Sequence, residues 1–219
     1  MPDPFRILCF SDLHRDRSAA LSICQRADQV DLVIGAGDFA NRHQGLNDTL
    51  SILSSIETAS ILVPGNGETD EALTLAAKPW QSACVLHGRG TTLPSLPWSI
   101  WGVGGGIPIT PFGAWSYDFD EIQGATMLAE CAQDGILVTH SPPIDSVDHD
   151  SSGRIRGSQS IRDAIERCQP VLAVCGHIHS DWTKHDRIGK TLVLNAGPSG
   201  IIVEIRDGHA SLQPVQNDS

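Results

Sequence analysis

The sequence predicts an α/β protein with parallel strands and two sheets in one domain, on two observations. Short apolar runs alternate with helix-like stretches over residues 5–77, and a β-α-β-α-β-α series of this kind builds a parallel sheet with right-handed crossovers. The chain then ends in several short β-type runs around Asp207-Gly208, a two-residue hairpin signal.

The elements follow in order. Residues 5–10 read as a strand, 18–27 as a helix and 31–36 as a second strand. A helix over 45–55 carries Leu46, Leu50 and Leu53 at spacings of four and three, the period of one helical face. Residues 60–63 read as a third strand. A helix over 69–77 has Asp70 and Glu71 in its first turn, where acidic groups meet the positive end of the helix dipole. The middle changes character: 88–112 is rich in Gly and Pro, with a strand over 98–103, and Gly104, Gly105 and Gly106 mark a flexible loop. Residues 120–133 and 158–168 read as helices, and 135–139 and 171–175 as short buried strands. Residues 191–195, 200–205 and 209–212 read as closing antiparallel strands.

Composition bounds the function. Of 219 residues, 40% are hydrophobic and 19% charged, an ordinary globular balance that excludes disorder. A chain of this size buries roughly 70% of its unfolded surface, so its core needs no disulfide or structural metal. The net charge of −11 argues against long nucleic acids and anionic membranes. It leaves room for a small phosphate substrate if metal ions supply positive charge. None of the six cysteines forms a C-x-x-C pair, and Cys9, Cys84 and Cys175 sit in apolar runs, as free thiols of a reducing compartment do. With no leader pattern and no apolar run of about 18 residues, the expectation is a cytoplasmic protein, monomeric or a small homo-oligomer.

The chemistry sits where the apolar runs end. The first closes in Ser11-Asp12-Leu13-His14, the second in Gly37-Asp38 and the third in Gly65-Asn66. The 135–139 run closes in His140 and the 171–175 run in Gly176-His177-Ile178-His179. Ligands of open α/β sheets bind outside the carboxyl ends of the strands, so these residues are expected to converge. Imidazole and carboxylate together suit Mn, Fe, Zn or Co better than Mg or Ca. Asp12 and His14 lie two apart, as do His177 and His179, which places each pair on one side of an extended segment. Seven donors are too many for one metal that keeps an open position. Two metals sharing a bridging carboxylate would use them all, and such a pair, about 3.5–4 Å apart, clamps an in-line displacement at phosphorus.

These motifs, in this order, resemble those of the calcineurin-like metallophosphoesterases over nearly the whole chain, and 157–198 resembles small cap-free archaeal and bacterial members. The resemblance implies one calcineurin-like phosphoesterase domain over 1–219, folded as a four-layer α-β-β-α sandwich with two mixed sheets. It implies two divalent or transition metal ions, one held by Asp12, His14, Asp38 and His179, the other by Asp38, Asn66, His140 and His177, with Asp38 bridging. Asp38, Asn66 and His140 then count as catalytic, and a hydroxide bridging the metals attacks phosphorus.

One position departs from the family. Where many members carry Gly-Asn-His followed by an acid, this chain has Gly65-Asn66-Gly67-Glu68, without the imidazole that stabilises charge or protonates the leaving group. That points to small phosphodiesters, nucleotide-like ones included, or to substrates with a good leaving group. His43 and His149 are the candidate replacement donors, and Arg154 or Arg156 could meet a substrate phosphate. The alternatives are a phosphomonoesterase, protein phosphatases included, and a non-catalytic interaction module on the same fold, as the retromer subunit is.

Blander roles stand beside these. Asp38 could cap a helix and Asn66 fill a turn. The triple glycine could cradle phosphate through its N–H groups or be a mobile turn. Trp101, Phe112 and Trp115 could line a pocket or simply pack, and Arg154 and Arg156 could belong to a solvated loop. His87, His185 and His209 read as surface residues.

Overall fold

The computed structural model describes residues 3–94 and 96–213. Among the described residues, twelve strands form two six-stranded mixed sheets. The first contains β1 (Phe5–Phe10), β2 (Leu32–Gly35), β3 (Ser60–Leu62), β4 (Ala83–Val85), β11 (Ile201–Arg206) and β12 (His209–Leu212), in the order β12-β11-β1-β2-β3-β4. The second contains β5 (Arg89–Thr92), β6 (Ser99–Val103), β7 (Ile136–Thr139), β8 (Leu172–Cys175), β9 (His185–Ile188) and β10 (Thr191–Asn195), in the order β5-β6-β7-β8-β10-β9. Each sheet has four parallel strands in a row: β1 to β4 in one, β6-β7-β8-β10 in the other.

Three apolar clusters define the layers. Ile7, Ile34 and Ile61 of the first sheet meet Ile136, Val174 and Leu194 of the second. The outer face of the first sheet packs Phe10 and Val33 against Ile23 of α1 (Arg17–Arg26), Leu50 of α2 (Leu46–Leu53) and Leu73 of α3 (Asp70–Ala76). The outer face of the second packs Leu137 and Val193 against Leu128 of α4 (Glu121–Leu128) and Ile161 of α5 (Gln159–Cys168). Helices, sheet, sheet and helices therefore stack in four layers, as expected. Strands covered on both faces read as unbroken apolar runs rather than alternating ones, and β2, β7 and β8 are buried at every position.

The helices begin at local signals. The Asp16 carboxylate accepts from the N–H groups of Ser18 and Ala19, and Thr69 and Ser158 cap α3 and α5 likewise. Asp120 and Gln123 form a reciprocal capping box on α4. That helix stops at Leu128, not at 133. Arg167 of α5 takes the carbonyls of Leu128 and Ala129 at 2.8 and 3.2 Å, so a tertiary contact ends a run with good helical propensity.

Three strands lie outside the sequence expectation. β4 has three residues, and β5 and β9 are mostly exposed and polar edge strands, so none shows a period. The expected closing group divides as well. β10 runs parallel to β8 in the second sheet, while β11 and β12 form an antiparallel hairpin beside β1 in the first. The hairpin turn has positive φ at both Asp207 (50°) and Gly208 (76°), the pattern of a type I′ turn. All six cysteines are free thiols. Among the described residues no helix is long and apolar enough to cross a membrane.

Candidate metal centre

The parallel strands of both sheets deliver the expected donors to one place. Asp12 and His14 follow β1, Asp38 follows β2, Asn66 follows β3, His140 follows β7, and His177 and His179 follow β8. Four of them have left-handed backbone: Asp12 (φ 55°), His14 (44°), Asp38 (58°) and His177 (68°). Each such non-glycine residue costs on the order of 1 kcal/mol, and strain of this kind collects at functional sites. The glycines of the motifs allow the close approach. A Cβ on Gly65 would lie 2.0 Å from Asp38 Oδ1, and one on Gly176 would lie 2.4 Å from Asp12 Oδ2.

The donor atoms form two adjoining sets. In the first, His14 Nε2 and His179 Nε2 are 3.1 Å apart, and Asp12 Oδ1 lies 3.9 and 3.7 Å from them. In the second, Asn66 Oδ1, His140 Nε2 and His177 Nδ1 are mutually 3.2 Å apart. The Asp38 carboxylate lies between the sets. Its Oδ2 is 3.5 Å from His14 Nε2 and its Oδ1 is 3.5 Å from His140 Nε2. Asp12, His14 and His179 could hold one ion, and Asp12, Asp38 and His140 also converge closely enough to hold one. Asp12 thus reaches toward both sets.

Surrounding hydrogen bonds aim these atoms. His140 Nδ1–H donates to Ala36 O (2.8 Å) and His14 Nδ1–H to Ala40 O (3.3 Å), which leaves both Nε2 lone pairs bare. Asp12 Oδ2 accepts from Ser11 Oγ (2.5 Å) and Trp182 Nε1 (3.2 Å), and the His177 N–H reaches both carboxylate oxygens at 3.1 Å, which leaves Oδ1 on the side of His14 and His179. Asn66 Nδ2 donates to Ser116 Oγ (2.8 Å), which donates to Asp118 Oδ1 (2.7 Å). That chain fixes the amide with its oxygen toward His140 and His177. Lone pairs therefore converge with too few protons to share, the arrangement a cation resolves.

The surroundings shift the three rings in different directions. Burial first, then the neighbouring His140, pushes His177 down to about 3, so it is neutral at physiological pH. Burial also lowers His179. At His140 burial pulls downward, but Asp38 and Asp12 together outweigh it and raise the ring.

Glu68 is wholly buried and acts on the backbone. Its carboxylate accepts from the N–H groups of Asp38 (2.8 Å), Phe39 (3.3 Å), Ala40 (3.0 Å) and Gly65 (2.8 Å). One side chain thereby ties the loop after β2 to the loop after β3. Burial, then repulsion by Asp38, pushes it up to about 7.

A cleft of about 670 Å³ opens beside the centre and is lined by His14, Asp38, Asn66, His177 and His179. Arg154 and Arg156 line it, as do Phe112 and Trp115. His43 and His149 are absent from its described lining. His43 Nε2 donates to Trp115 O, and His149 Nδ1 faces Asp148 and Asp181. Trp101 packs, donating to Met127 O. The triple glycine is no mobile turn. It is buried, Gly105 N bonds Pro64 O and Gly106 N bonds Tyr117 O, so those N–H groups are engaged. Gly104 N donates to His87 Nδ1, and His87 is half-buried rather than a surface residue. Trp182, Ser116 and Arg42 had no sequence signal, since their partners are distant in the chain.

A four-layer α-β-β-α sandwich with carboxylates, imidazoles and an amide at the carboxyl ends of its strands defines the class of metallo-dependent phosphatases. The chain belongs to the calcineurin-like phosphoesterase superfamily, whose domain profile matches residues 5–211. Solved structures with this fold include a Thermus thermophilus protein (TM-score 0.72, 17% identity, 96% of this chain and 99% of that one). An archaeal phosphodiesterase is similar (0.56, 13%, 95% and 99%), as is a dimetal phosphatase from Danio rerio (0.63, 11%, 94% and 94%). At these identities the likeness concerns the fold alone. No curated protein sequence gave a match.

Proposed function

We propose that this chain is a dinuclear metal-dependent phosphoesterase that hydrolyses small phosphodiesters. The observation that carries the reading is the Asp38 carboxylate, with one oxygen 3.5 Å from the His14 nitrogen and the other 3.5 Å from that of His140. Asp12, His14, Asp38 and His179 would hold one ion, and Asp38, Asn66, His140 and His177 the other. Two divalent ions, when bound, polarise phosphoryl oxygens and make water nucleophilic at neutral pH. The neutral imidazoles of His177 and His179 offer their lone pairs without first losing a proton. Ser11, Trp182 and Ser116 keep the oxygens of Asp12 and Asn66 turned inward. Glu68 holds the two loops in register.

The preference for diesters rests on Gly67. Among the described residues lining the cleft, the imidazoles are His14, His177 and His179, all in the donor sets. General-acid help is worth about 10²–10⁴-fold, so a centre without a spare imidazole suits a leaving group that needs little protonation. The neighbouring archaeal phosphodiesterase is in keeping with this. A non-catalytic module has no need of seven intact donors.

Turnover of bis(p-nitrophenyl) phosphate with and without Mn²⁺ tests the proposal. Metal-dependent release of nitrophenol is expected. No turnover with any divalent ion, together with no bound metal by elemental analysis, would overturn it.

A further inference from the structure

The cleft has two chemically distinct walls outside the metal centre. One is apolar. Ile109 and Phe112 belong to it, and both are large hydrophobic side chains left 64% and 51% exposed. Phe112 lies nearly parallel to Trp115 (ring centroids 5.6 Å apart, 18° between planes). Apolar side chains gathered at a concave site mark a binding surface rather than random exposure.

The other wall is cationic in a strongly acidic protein. Arg42, Arg154 and Arg156 line the cleft, where Asp150 is the one carboxylate among the described lining residues outside the donor sets. Arg154 and Arg156 both donate through Nε to Asp150 Oδ2, at 3.1 and 2.9 Å. Their terminal nitrogens have no partner among the described residues and keep the paired donors that match a phosphate. Arg42 lies 5.2 Å from the Trp115 ring centre and joins the two walls.

Both walls are held in place. Thr110 N and Oγ1 donate to Asp118 Oδ2 at 2.8 and 2.6 Å. Asp118 accepts from Ser116, the hydroxyl that fixes Asn66. Tyr117 N donates to Asn66 O at 3.0 Å. The segment carrying Phe112 and Trp115 is therefore tied to a residue of the donor set. Asp150 is itself held by Ser152 and the Arg154 N–H.

We propose that this cleft takes a phosphoester carrying a flat aromatic group and a second phosphate, the chemistry of an ester of a nucleoside diphosphate. The aromatic group lies on the Phe112 wall, the second phosphate meets Arg154 and Arg156, and the reacting phosphate lies at the donor sets. This rests on the phosphoesterase reading of the same centre and narrows its substrate.

Equilibrium titration, by Trp fluorescence and calorimetry, compares α,β-methylene-ADP with methylenediphosphonate, AMP and octyl diphosphate, in Mn²⁺ and in chelator. The methylene-ADP is expected to bind at least tenfold more tightly than each of the others. Phe112→Ala should abolish its advantage over methylenediphosphonate, and Arg154→Gln with Arg156→Gln its advantage over AMP. Equal binding of methylene-ADP and methylenediphosphonate, equal binding of octyl diphosphate, or advantages unmoved by the substitutions would overturn the proposal. Turnover of bis(p-nitrophenyl) phosphate in the same preparation separates the two readings: its absence removes the phosphoesterase reading, whereas a flat binding series beside normal turnover removes only this one.

Discussion

The donor sets and the cleft walls lie within one site but are built differently. The donors stand directly at the ends of core strands, and hydrogen bonds to buried or half-buried groups aim them: Ala36 O for His140, Glu68 for the Asp38 loop, Ser11 and Trp182 for Asp12. The walls come from the connections around 107–118 and 144–157, are largely exposed, and depend on a few polar anchors such as Asp118 and Asp150. Changes among the donors should therefore alter metal content, stability and rate together. Changes in the walls should alter substrate choice alone.

Asp38→Asn is the most severe way to break this contrast. Losing the carboxylate between the sets should lower metal content below two ions per chain. It should cut kcat/KM for a phosphodiester by several kcal/mol, roughly 10³-fold. Elemental analysis and steady-state kinetics check both, and two retained ions with a small rate change would contradict the assigned bridge.

The pH dependence of Glu68 comes next. Its carboxyl is pushed up to about 7 in the fold from an ordinary value of 4.5. Between these values the folded protein keeps a proton that the unfolded chain has lost. This group's contribution therefore falls as pH rises from about 4.5 to 7, and the loss is complete above that. Glu68→Gln removes the titration. In chelator, the stability of wild type relative to Glu68→Gln should drop between pH 4.5 and 8 by about 3 kcal/mol at most. Denaturant melts at several pH values measure this, and a difference that rises with pH would refute it.

Gly67→His probes the missing imidazole. A Cβ there would lie 3.1 Å from Asp38 Oδ1 and 3.3 Å from Ala40 O, so the neighbours must give by a few tenths of an ångström. The ratio of monoester to diester kcat/KM should rise by about tenfold or more. An unchanged ratio would count against the diester argument.

The smallest structural effect is expected in the walls. Arg154→Gln should raise KM for a charged substrate yet leave stability within about 0.5 kcal/mol, as exposed substitutions do. A large loss of stability would mean that the walls are part of the scaffold.

The same contrast explains what could be read from the sequence. The runs ending in Asp12, Asp38, Asn66, His140 and His177 announced themselves because a buried strand is an unbroken apolar string and each donor follows it at once. β5 and β9 did not, since an exposed edge strand carries no apolar period. The end of α4 was invisible because Arg167, far along the chain, ends it. Phe112 and Trp115 could be read as pocket lining or as packing, and the sequence did not decide between them, because their wall depends on Asn66, Ser116 and Asp118 meeting in space. Trp182 and Ser116, which aim Asp12 and Asn66, were hidden for the same reason.

The central claim is that Asp38 bridges two ions, and anomalous scattering from Mn²⁺-loaded crystals tests it most directly. Two peaks about 3.5–4 Å apart, with one Asp38 oxygen toward each, are the result this account predicts. A single peak, or two peaks with Asp38 touching only one, would contradict it.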